Sequence, residues 1–308
     1  MKKILYSLFL LLPVFFCVSC LEFIFGPVIS ETGEFIYVAD HDIYRYNLQT
    51  EQLEKLTEDS TAANYADPVY MKDQNKIGYR SANRASFFSM TIDGQNQAVL
   101  SYFPVGVAGL DYCSDTKKLF MYTFSGNVLK LAMVDPNGEN FTYLTNPENY
   151  NDARPSINAL GDKALFMSDR TGVYQIYLFD LNSNITTQLT FEGNPRWYPE
   201  WSDDETGFYY EERSPDNYGM LKYYDLDNNS IAKIADFPGF TPFFFTMSPD
   251  EDKAALVFGL NDSSERNLYI YDIENQTLVQ KTDLPVAFGR PKWYRFIDKG
   301  SKALVTET

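Results

Sequence analysis

The chain has 308 residues and a formal net charge of −16, with 44% hydrophobic and 22% charged residues. This composition is apolar enough to bury a core, and it excludes an intrinsically disordered chain. The 23 Tyr and 24 Phe favour strands, because flat rings pack well on a pleated surface. So large a negative charge repels phosphate backbones, and we therefore expect no nucleic-acid partner.

The first twenty residues, MKKILYSLFLLLPVFFCVSC, have the pattern of a secretory signal. Lys2 and Lys3 form a positive start, and residues 4–16 form an apolar run interrupted by Pro13. This run is too short to span a membrane comfortably, and a polar segment follows it. The pattern therefore predicts a cleaved leader and not a transmembrane helix.

The leader ends in Val18-Ser19-Cys20, which resembles a bacterial lipobox, although Cys17 stands where that family usually has Leu. The resemblance implies that the thiol of Cys20 takes a diacylglyceryl group and that Cys20 becomes the new N-terminus. We expect a lipoprotein signal peptide at residues 1–20. Residues 21–308 would then be held at the bacterial cell envelope by lipid, on the periplasmic or outer-membrane face. An ordinary signal peptide with a chance cysteine is the alternative.

After the leader, the chain repeats itself with a period of roughly 44 residues, which is typical of propeller blades. The clearest copy, residues 155–190, reads PSINALGDKALFMSDRTGVYQIYLFDLNSNITTQLT. Turn residues separate its short apolar segments, which predicts four short strands per copy. Because one four-stranded sheet cannot bury both of its faces alone, we expect the copies to stack radially.

This copy resembles the PD40 (WD40-like) repeat of TolB-type propellers. The matching residues are Pro155, Gly161, Phe166, Ser168, Arg170, Gly172, Ile176, Tyr177, Asp180, Leu189 and Thr190. The resemblance implies an all-β chain that forms a single β-propeller of four-stranded blades. TolB itself carries an α/β domain before its propeller, and we expect none here because only residues 21–25 separate Cys20 from the first copy.

The number of blades is estimated from the residues at which a first strand begins. These lie near Pro27, Pro68, Gly109, Pro155, Pro199, Pro242 and Pro291. Because each blade has one inner strand, these seven positions favour seven blades. Six blades is the alternative, in which the C-terminal strands complete a blade begun at the N-terminus.

Few residues in the chain have the chemistry of a catalytic or metal site. His41 is the one histidine, which is too little for a Ser–His–Asp triad or a zinc site. The carboxylates Asp203, Asp204, Asp250 and Asp252 and the run Asp225–Asn229 fall in repeat turns, where capping of the turn is the simplest role. We therefore expect no metal and no cofactor, while a paired-carboxylate enzyme and a calcium site stay open as alternatives.

The loops that enter the first strands are rich in arginine and aromatic residues. By the resemblance, they share one rim of the propeller with the loop that carries Arg170. The candidate binding residues are Tyr65, Tyr150, Arg154, Arg170, Arg196, Trp197, Tyr198, Phe240 and Arg290. Such residues are typical of binding hot spots. Ion pairing by Arg170 and packing of Trp197 and Tyr198 between blades are the alternatives. Arginine recurs in the position of Arg170 at Arg84, Arg213 and Arg266, which leaves open a ring of guanidinium groups facing a ligand.

These observations lead to a non-enzymatic envelope lipoprotein that uses one propeller rim to hold a protein partner. A surface glycan-binding lipoprotein is an alternative, because aromatic rings stack on sugars. A carboxylate-based glycan hydrolase or lyase is the other. The fold by itself does not decide among them.

Overall fold

The computed structural model describes residues 33–39, 41–57, 65–81, 85–191, 193–240, 244–259, 266–282 and 291–293. All of them belong to one unit, residues 32–308. The signal peptide, Cys20 and Arg290 lie outside the described residues. In the described part of the chain, no helix has the length and hydropathy that a membrane span requires.

The described residues form 24 strands and are all-β. In chain order the strands are β1 (Glu34–Ala39), β2 (Asp42–Asn47), β3 (Gln52–Lys55), β4 (Ala66–Met71), β5 (Lys76–Arg80), β6 (Ser86–Thr91), β7 (Ala98–Tyr102), β8 (Val107–Cys113), β9 (Lys118–Ser125), β10 (Val128–Val134), β11 (Thr142–Tyr143), β12 (Asp152–Ile157), β13 (Lys163–Ser168), β14 (Gln175–Asp180), β15 (Ile185–Gln188), β16 (Arg196–Trp201), β17 (Gly207–Arg213), β18 (Gly219–Asp225), β19 (Ser230–Phe237), β20 (Phe244–Met247), β21 (Lys253–Phe258), β22 (Asn267–Asp272), β23 (Thr277–Gln280) and β24 (Lys292–Trp293).

These strands form six antiparallel four-stranded sheets, which are the blades of one propeller. Blade 1 has the order β24-β1-β2-β3. Blades 2 to 6 take four successive strands each, beginning with β4, β8, β12, β16 and β20. The single propeller of four-stranded blades is as the sequence predicts.

The blade count in the described residues is six, which corrects the favoured count of seven. Residues Lys292 and Trp293 do not begin a seventh blade, because they pair antiparallel with Ile36 and Phe35 of β1. The strand that begins near Pro291 is therefore the inner strand of blade 1. This pairing covers an edge of β1 that would otherwise expose unpaired backbone groups, and it closes the ring.

The core lies between neighbouring blades. The middle strands are buried on both faces, as in β13, where Ala164, Leu165 and Phe166 are all fully buried. Phe166 packs with Phe208 and Tyr210 of the next blade. The outermost strands face solvent, and β3 and β11 are exposed along their whole length. Radial stacking thus buries the apolar faces that a single four-stranded sheet would expose to solvent.

The threonine that ends each Leu-Thr pair of the repeat has a structural role. Its hydroxyl accepts a hydrogen bond from a backbone N–H in the third strand of the same blade. The pairs are Ile43–Thr57 at 3.0 Å, Leu131–Thr145 at 3.1 Å and Ile176–Thr190 at 2.8 Å. Thr282, which follows Lys281, accepts in the same way from Leu268 N at 3.3 Å. The hydroxyl therefore fastens the end of a blade to its third strand and satisfies a backbone donor.

Four inner strands, β4, β8, β12 and β16, share a β-bulge near their starts. In each bulge two residues lie opposite one residue of the second strand, and the first of the two has a positive φ. These residues are Asp67 (φ 47°), Gly109 (φ 62°), Arg154 (φ 55°) and Tyr198 (φ 53°). A β-bulge changes the direction in which the following side chains point. The same bulge therefore changes side-chain direction in four of the inner strands.

Candidate functional site

The starts of the inner strands and the loops between second and third strands share one face of the propeller, here called the entry face. In blade 4, Asp152 at the start of β12 pairs with Ser168 at the end of β13. Arg170, in the loop after β13, donates from Nη2 to Asp152 Oδ1 at 2.9 Å. The structure therefore places the loop of Arg170 beside the start of the inner strand.

Arg154 reaches across the axis at the entry face. Its guanidinium carbon lies 5.4 Å from the ring centres of both Tyr122 and Tyr198 and 5.6 Å from that of Phe244. Its Nη1 lies 3.9 Å from Asp67 Oδ1. These contacts join blade 4 to blades 2, 3, 5 and 6, and they are cation–π contacts together with one ion pair. Arg154 thus lies at the centre of the entry face, among Asp67, Tyr122, Tyr198 and Phe244, and this region is here called the entry mouth.

Asp67 is the anionic partner of this central arginine. It also accepts a hydrogen bond from Arg80 Nε, and Gly109 N donates to its Oδ2 at 2.9 Å. Burial by itself would raise the pKa of Asp67, but the charges of Arg80 and Arg154 outweigh burial and hold the pKa below its usual value. The carboxylate therefore stays charged and orients Arg154.

Below Arg154, a void of about 10 Å³ lies between Asp67, Arg154 and Lys292. On the opposite face, here called the exit face, Lys292 Nζ donates to Asp111 Oδ1 at 3.0 Å, and Ile157 N donates to Asp111 Oδ2 at 2.9 Å. Asp67 thus pairs with Arg154 toward the entry face, and Asp111 pairs with Lys292 toward the exit face.

The exit face holds a cavity of about 370 Å³ with several carboxylates in its lining. Three of these carboxylates, Asp111, Glu200 and Glu251, have partners in neighbouring blades. Glu200 Oε1 accepts hydrogen bonds from Thr246 Oγ1 at 2.9 Å and Met247 N at 3.0 Å. Glu251 accepts hydrogen bonds from Asp203 N at 2.6 Å and Tyr209 Oη at 2.8 Å. They tie blades together, and the entry mouth is the stronger candidate site.

The structure brings three sequence-predicted residues together at the entry mouth: Arg154, Trp197 and Tyr198. The ring centres of Trp197 and Tyr198 are 6.1 Å apart. Trp197 also packs on Tyr174 of blade 4 at 4.4 Å. All three residues are partly buried, so they both pack and line the mouth.

Other predicted residues have structural partners. Arg196 is buried and donates from Nε to Glu212 Oε2 at 2.9 Å and from Nη1 to Gln175 Oε1 at 2.6 Å. Tyr65 packs edge-on against Tyr79 at 5.0 Å. Packing and ion pairing account for the remaining members of this group: Phe240 lies against Phe258 at 4.4 Å, and Arg170 lies between Asp152 and the Tyr150 ring, 4.9 Å from the ring centre.

The candidate chemical residues of the repeat turns are held by turn hydrogen bonds. Asp204 accepts a hydrogen bond from Thr206 N at 3.0 Å, and Asp225 accepts one from Asn228 N at 2.9 Å. His41 lies exposed in the turn between β1 and β2. In the described part of the chain, no group of three or more His, Cys, Asp or Glu residues could hold a metal ion.

Glu211 is a residue of the entry face that sequence reasoning missed. It pairs directly with Trp197 across β16 and β17 and is fully buried. Neither of its carboxylate oxygens has a hydrogen-bond partner among the described residues. Burial raises its pKa to about 8, although the charges of Arg213 and Arg266 oppose the shift. The sequence signal that could have identified Glu211 is its position two residues before Arg213, the arginine that corresponds to Arg170 in the repeat.

Comparison with known proteins identifies the fold. The chain is similar to TolB from Acinetobacter baumannii, with a TM-score of 0.66 and 17% identity over 84% of this chain and 65% of that one. It is similar to a putative TolB from Agrobacterium tumefaciens, with a TM-score of 0.68 and 15% identity over 83% of this chain and 90% of that one. It is also similar to an oligogalacturonate lyase from Vibrio parahaemolyticus, with a TM-score of 0.52 and 13% identity over 78% of this chain and 70% of that one.

The protein therefore has a TolB-like propeller fold. It spans slightly less than two thirds of the length of the Acinetobacter protein. No family model matches the chain, and no curated protein matches it.

Proposed function

We propose that this protein is a non-enzymatic binding protein of the bacterial cell envelope, anchored by lipid on Cys20, that holds a protein partner at its entry face. The TolB-like fold supports a scaffold role. The carboxylates of Asp204 and Asp225 accept turn hydrogen bonds, which favours binding over catalysis.

The observation that carries the proposal is the strained backbone at the entry mouth. Arg154 and Tyr198 both have positive φ, which costs about 1–2 kcal/mol for a residue with a Cβ. Such strain persists where the surrounding structure enforces it, and it clusters at binding sites. Here it presents Arg154, Trp197 and Tyr198 together, and Arg, Trp and Tyr are the residue types that dominate binding hot spots.

The test is photo-crosslinking in intact cells from two exposed positions on opposite faces of blade 4. Val173 lies on the entry face, in the loop after β13, and Leu160 lies on the exit face, in the loop after β12. A photoreactive residue replacing Val173 should capture one specific protein in membrane fractions. The same residue replacing Leu160 is the matched control and should not capture it.

Equal capture from both positions would place the partner elsewhere, and no captured protein would contradict a protein scaffold. The same cells test the anchor. The wild-type protein should sediment with membranes, whereas a Cys20→Ser variant should be released from them.

A glycan ligand is the second candidate, and two observations favour it. Trp197 and Tyr174 form an aromatic pair at the mouth, and flat rings of this kind stack on sugars. The fold is also similar to that of an oligogalacturonate lyase. This reading predicts no protein adduct from position 173 and retention of the protein on a column of acidic oligosaccharide.

A further inference from the structure

Three side chains of blade 5 have buried polar atoms at the entry face that lack a hydrogen-bond partner among the described residues. Trp197 Nε1, Arg213 Nε and both carboxylate oxygens of Glu211 are buried, and none has a hydrogen-bond partner among the described residues. The Arg213 guanidinium carbon lies 5.2 Å from the centre of the Trp197 ring. Buried polar groups are nearly always satisfied in folded proteins, so three together indicate groups reserved for a ligand.

The charges of this cluster favour an anion. Arg213 and Arg266 both act on Glu211. Burial lowers the pKa of Arg266, and the like charge of Arg213 acts in the same direction. The Arg266 guanidinium carbon lies 5.6 Å from the centre of the Phe244 ring. Since burial raises the pKa of Glu211 to about 8, its carboxyl group keeps its proton in most molecules at pH 7. The two arginines then make the cluster cationic, in a chain whose net charge is −16.

The available hydrogens suit a carboxylate. The indole N–H of Trp197 is a donor only, and so is the guanidinium of Arg213. A protonated Glu211 adds an O–H donor. A guanidinium fork matches the two oxygens of a carboxylate, and such charge-assisted pairs are among the stronger hydrogen bonds in proteins. Arg213 and Arg266 are partly exposed, so a ligand can reach them.

We propose that Trp197, Glu211, Arg213 and Arg266 form a pocket for a carboxylate, which the partner protein supplies from an acidic side chain or its C-terminus. This inference rests on the proposed function, because it names the group of the partner that the entry face recognises. It assigns the partner an acidic anchor, in accordance with the cationic character of this small region.

The test is an NMR titration of the ¹⁵N-labelled mature protein with N-acetyl-aspartate N-methylamide. The uncharged isostere, N-acetyl-asparagine N-methylamide, is the matched probe. The Trp197 indole N–H signal, one of three in the chain, is assigned with a Trp197→Phe variant. It should shift with the aspartate probe and not with the asparagine probe. Equal shifts with both probes would overturn the proposal.

Arg213→Gln and Lys72→Gln each remove one positive charge. Comparing them distinguishes binding in the pocket from a general effect of net charge. Arg213→Gln should weaken binding of the aspartate probe about tenfold or more, because it removes the charged fork. Arg213→Lys should restore only part of the affinity, because an ammonium group lacks that fork. Lys72→Gln, at an exposed lysine of the exit face, should leave binding unchanged. Unchanged binding by Arg213→Gln would overturn the proposal, and circular dichroism confirms that each variant is folded.

The pH dependence gives a second readout that a merely structural role would not move. Glu211 loses its proton between pH 7 and pH 9, and its new negative charge opposes a bound carboxylate. Arginine side chains in proteins keep their charge over this range. Burial raises the pKa of Tyr198, so Tyr198 stays neutral. The wild-type protein should therefore bind the aspartate probe more weakly at pH 9 than at pH 7, whereas Glu211→Gln should bind it equally at both. A flat wild-type profile would overturn the role of Glu211.

The failure of this proposal is distinguishable from failure of the proposed function. If cells expressing Arg213→Gln still yield the crosslinked protein from position 173 at the wild-type level, the partner exists but the carboxylate pocket does not hold it. If no protein is crosslinked and the aspartate probe still binds through Arg213, the pocket stands and the protein scaffold fails. A stronger shift with galacturonate than with the aspartate probe would overturn the assignment to a protein carboxylate.

Discussion

Arg196 and Trp197 are consecutive residues of β16, yet their side chains have different partners. Arg196 is buried, bridging Glu212 of its own blade and Gln175 of blade 4. Trp197 keeps its indole N–H unpartnered among the described residues and lies under Arg213. From the sequence both are predicted to be rim residues, because residue type alone does not reveal which buried carboxylate is near.

At the residue scale, we therefore expect Arg196 to contribute to stability. Arg196→Ala leaves Glu212 buried, with Lys222, 2.8 Å away, as its one cationic partner among the described residues. Removing one partner of a buried pair should lower the free energy of unfolding by about 3 kcal/mol. Urea denaturation measures the loss.

The control for this substitution is Arg45→Ala. Arg45 pairs with Glu54, whose side chain is 51% exposed, and such pairs contribute at most about 1 kcal/mol. Equal losses for the two variants would contradict a special role for the buried pair at Arg196.

At the scale of elements, the inner-strand bulges decide what the entry mouth contains. In β16, Tyr198 and Pro199 lie opposite the single residue Tyr210, so the alternation of inward and outward side chains changes at this point. The same change in β12 turns Arg154 to the axis. A strict period of two along these strands would misplace both side chains.

A substitution at Gly109, the glycine among the four bulge residues, tests whether the bulges position the side chains of the entry mouth. A Cβ on Gly109 would lie 2.5 Å from Tyr122 Cε1, at φ 62°. Tyr122 packs against Arg154, so a shift of Tyr122 would disturb the centre of the mouth. Gly109→Ala should therefore lower the free energy of unfolding, measured by thermal denaturation, through both backbone strain and a steric clash.

Gly126 supplies a matched control, because it has the same φ of 62° but open space beside it. Apart from its chain neighbours, no atom of the described residues would lie within 4 Å of a Cβ added at Gly126. Gly126→Ala should show the backbone strain alone, about 1–2 kcal/mol. Gly109→Ala should cost about 1–3 kcal/mol more than Gly126→Ala, owing to overpacking. Similar losses would show that Tyr122 moves aside freely.

At the scale of the whole molecule, the ring is closed by two residues from the end of the chain. β24 pairs with β1 as the inner strand of blade 1, and Lys292 binds Asp111 of blade 3. The N-terminal and C-terminal parts of the chain must therefore both be present to complete the first blade. Loss of one inner strand affects every blade, because each blade is buried against its neighbours.

A chain that ends at Arg290 lacks β24 and should unfold at a lower temperature and less cooperatively than the full chain. Scanning calorimetry measures both changes. A peptide of residues 291–308 added in trans should restore part of the melting temperature, because β1 keeps its free edge. A peptide of the same composition in scrambled order is the control, and equal restoration by both peptides would contradict closure through β24.

The amino-acid sequence by itself determined the fold class and the repeat of this protein. Those features follow from local patterns: alternating apolar residues, turn residues such as Asp225 and Asn228, and the Leu-Thr ends that hydrogen-bond within their own blade. Only the tertiary structure decided the number of blades, the occupant of the axis and the state of Glu211. Each of these depends on pairs far apart in the chain, as in Ile36 with Lys292, Arg154 with Asp67, and Glu211 with Arg266. Burial and Coulomb interactions act through space, and a local pattern does not specify which distant groups will meet.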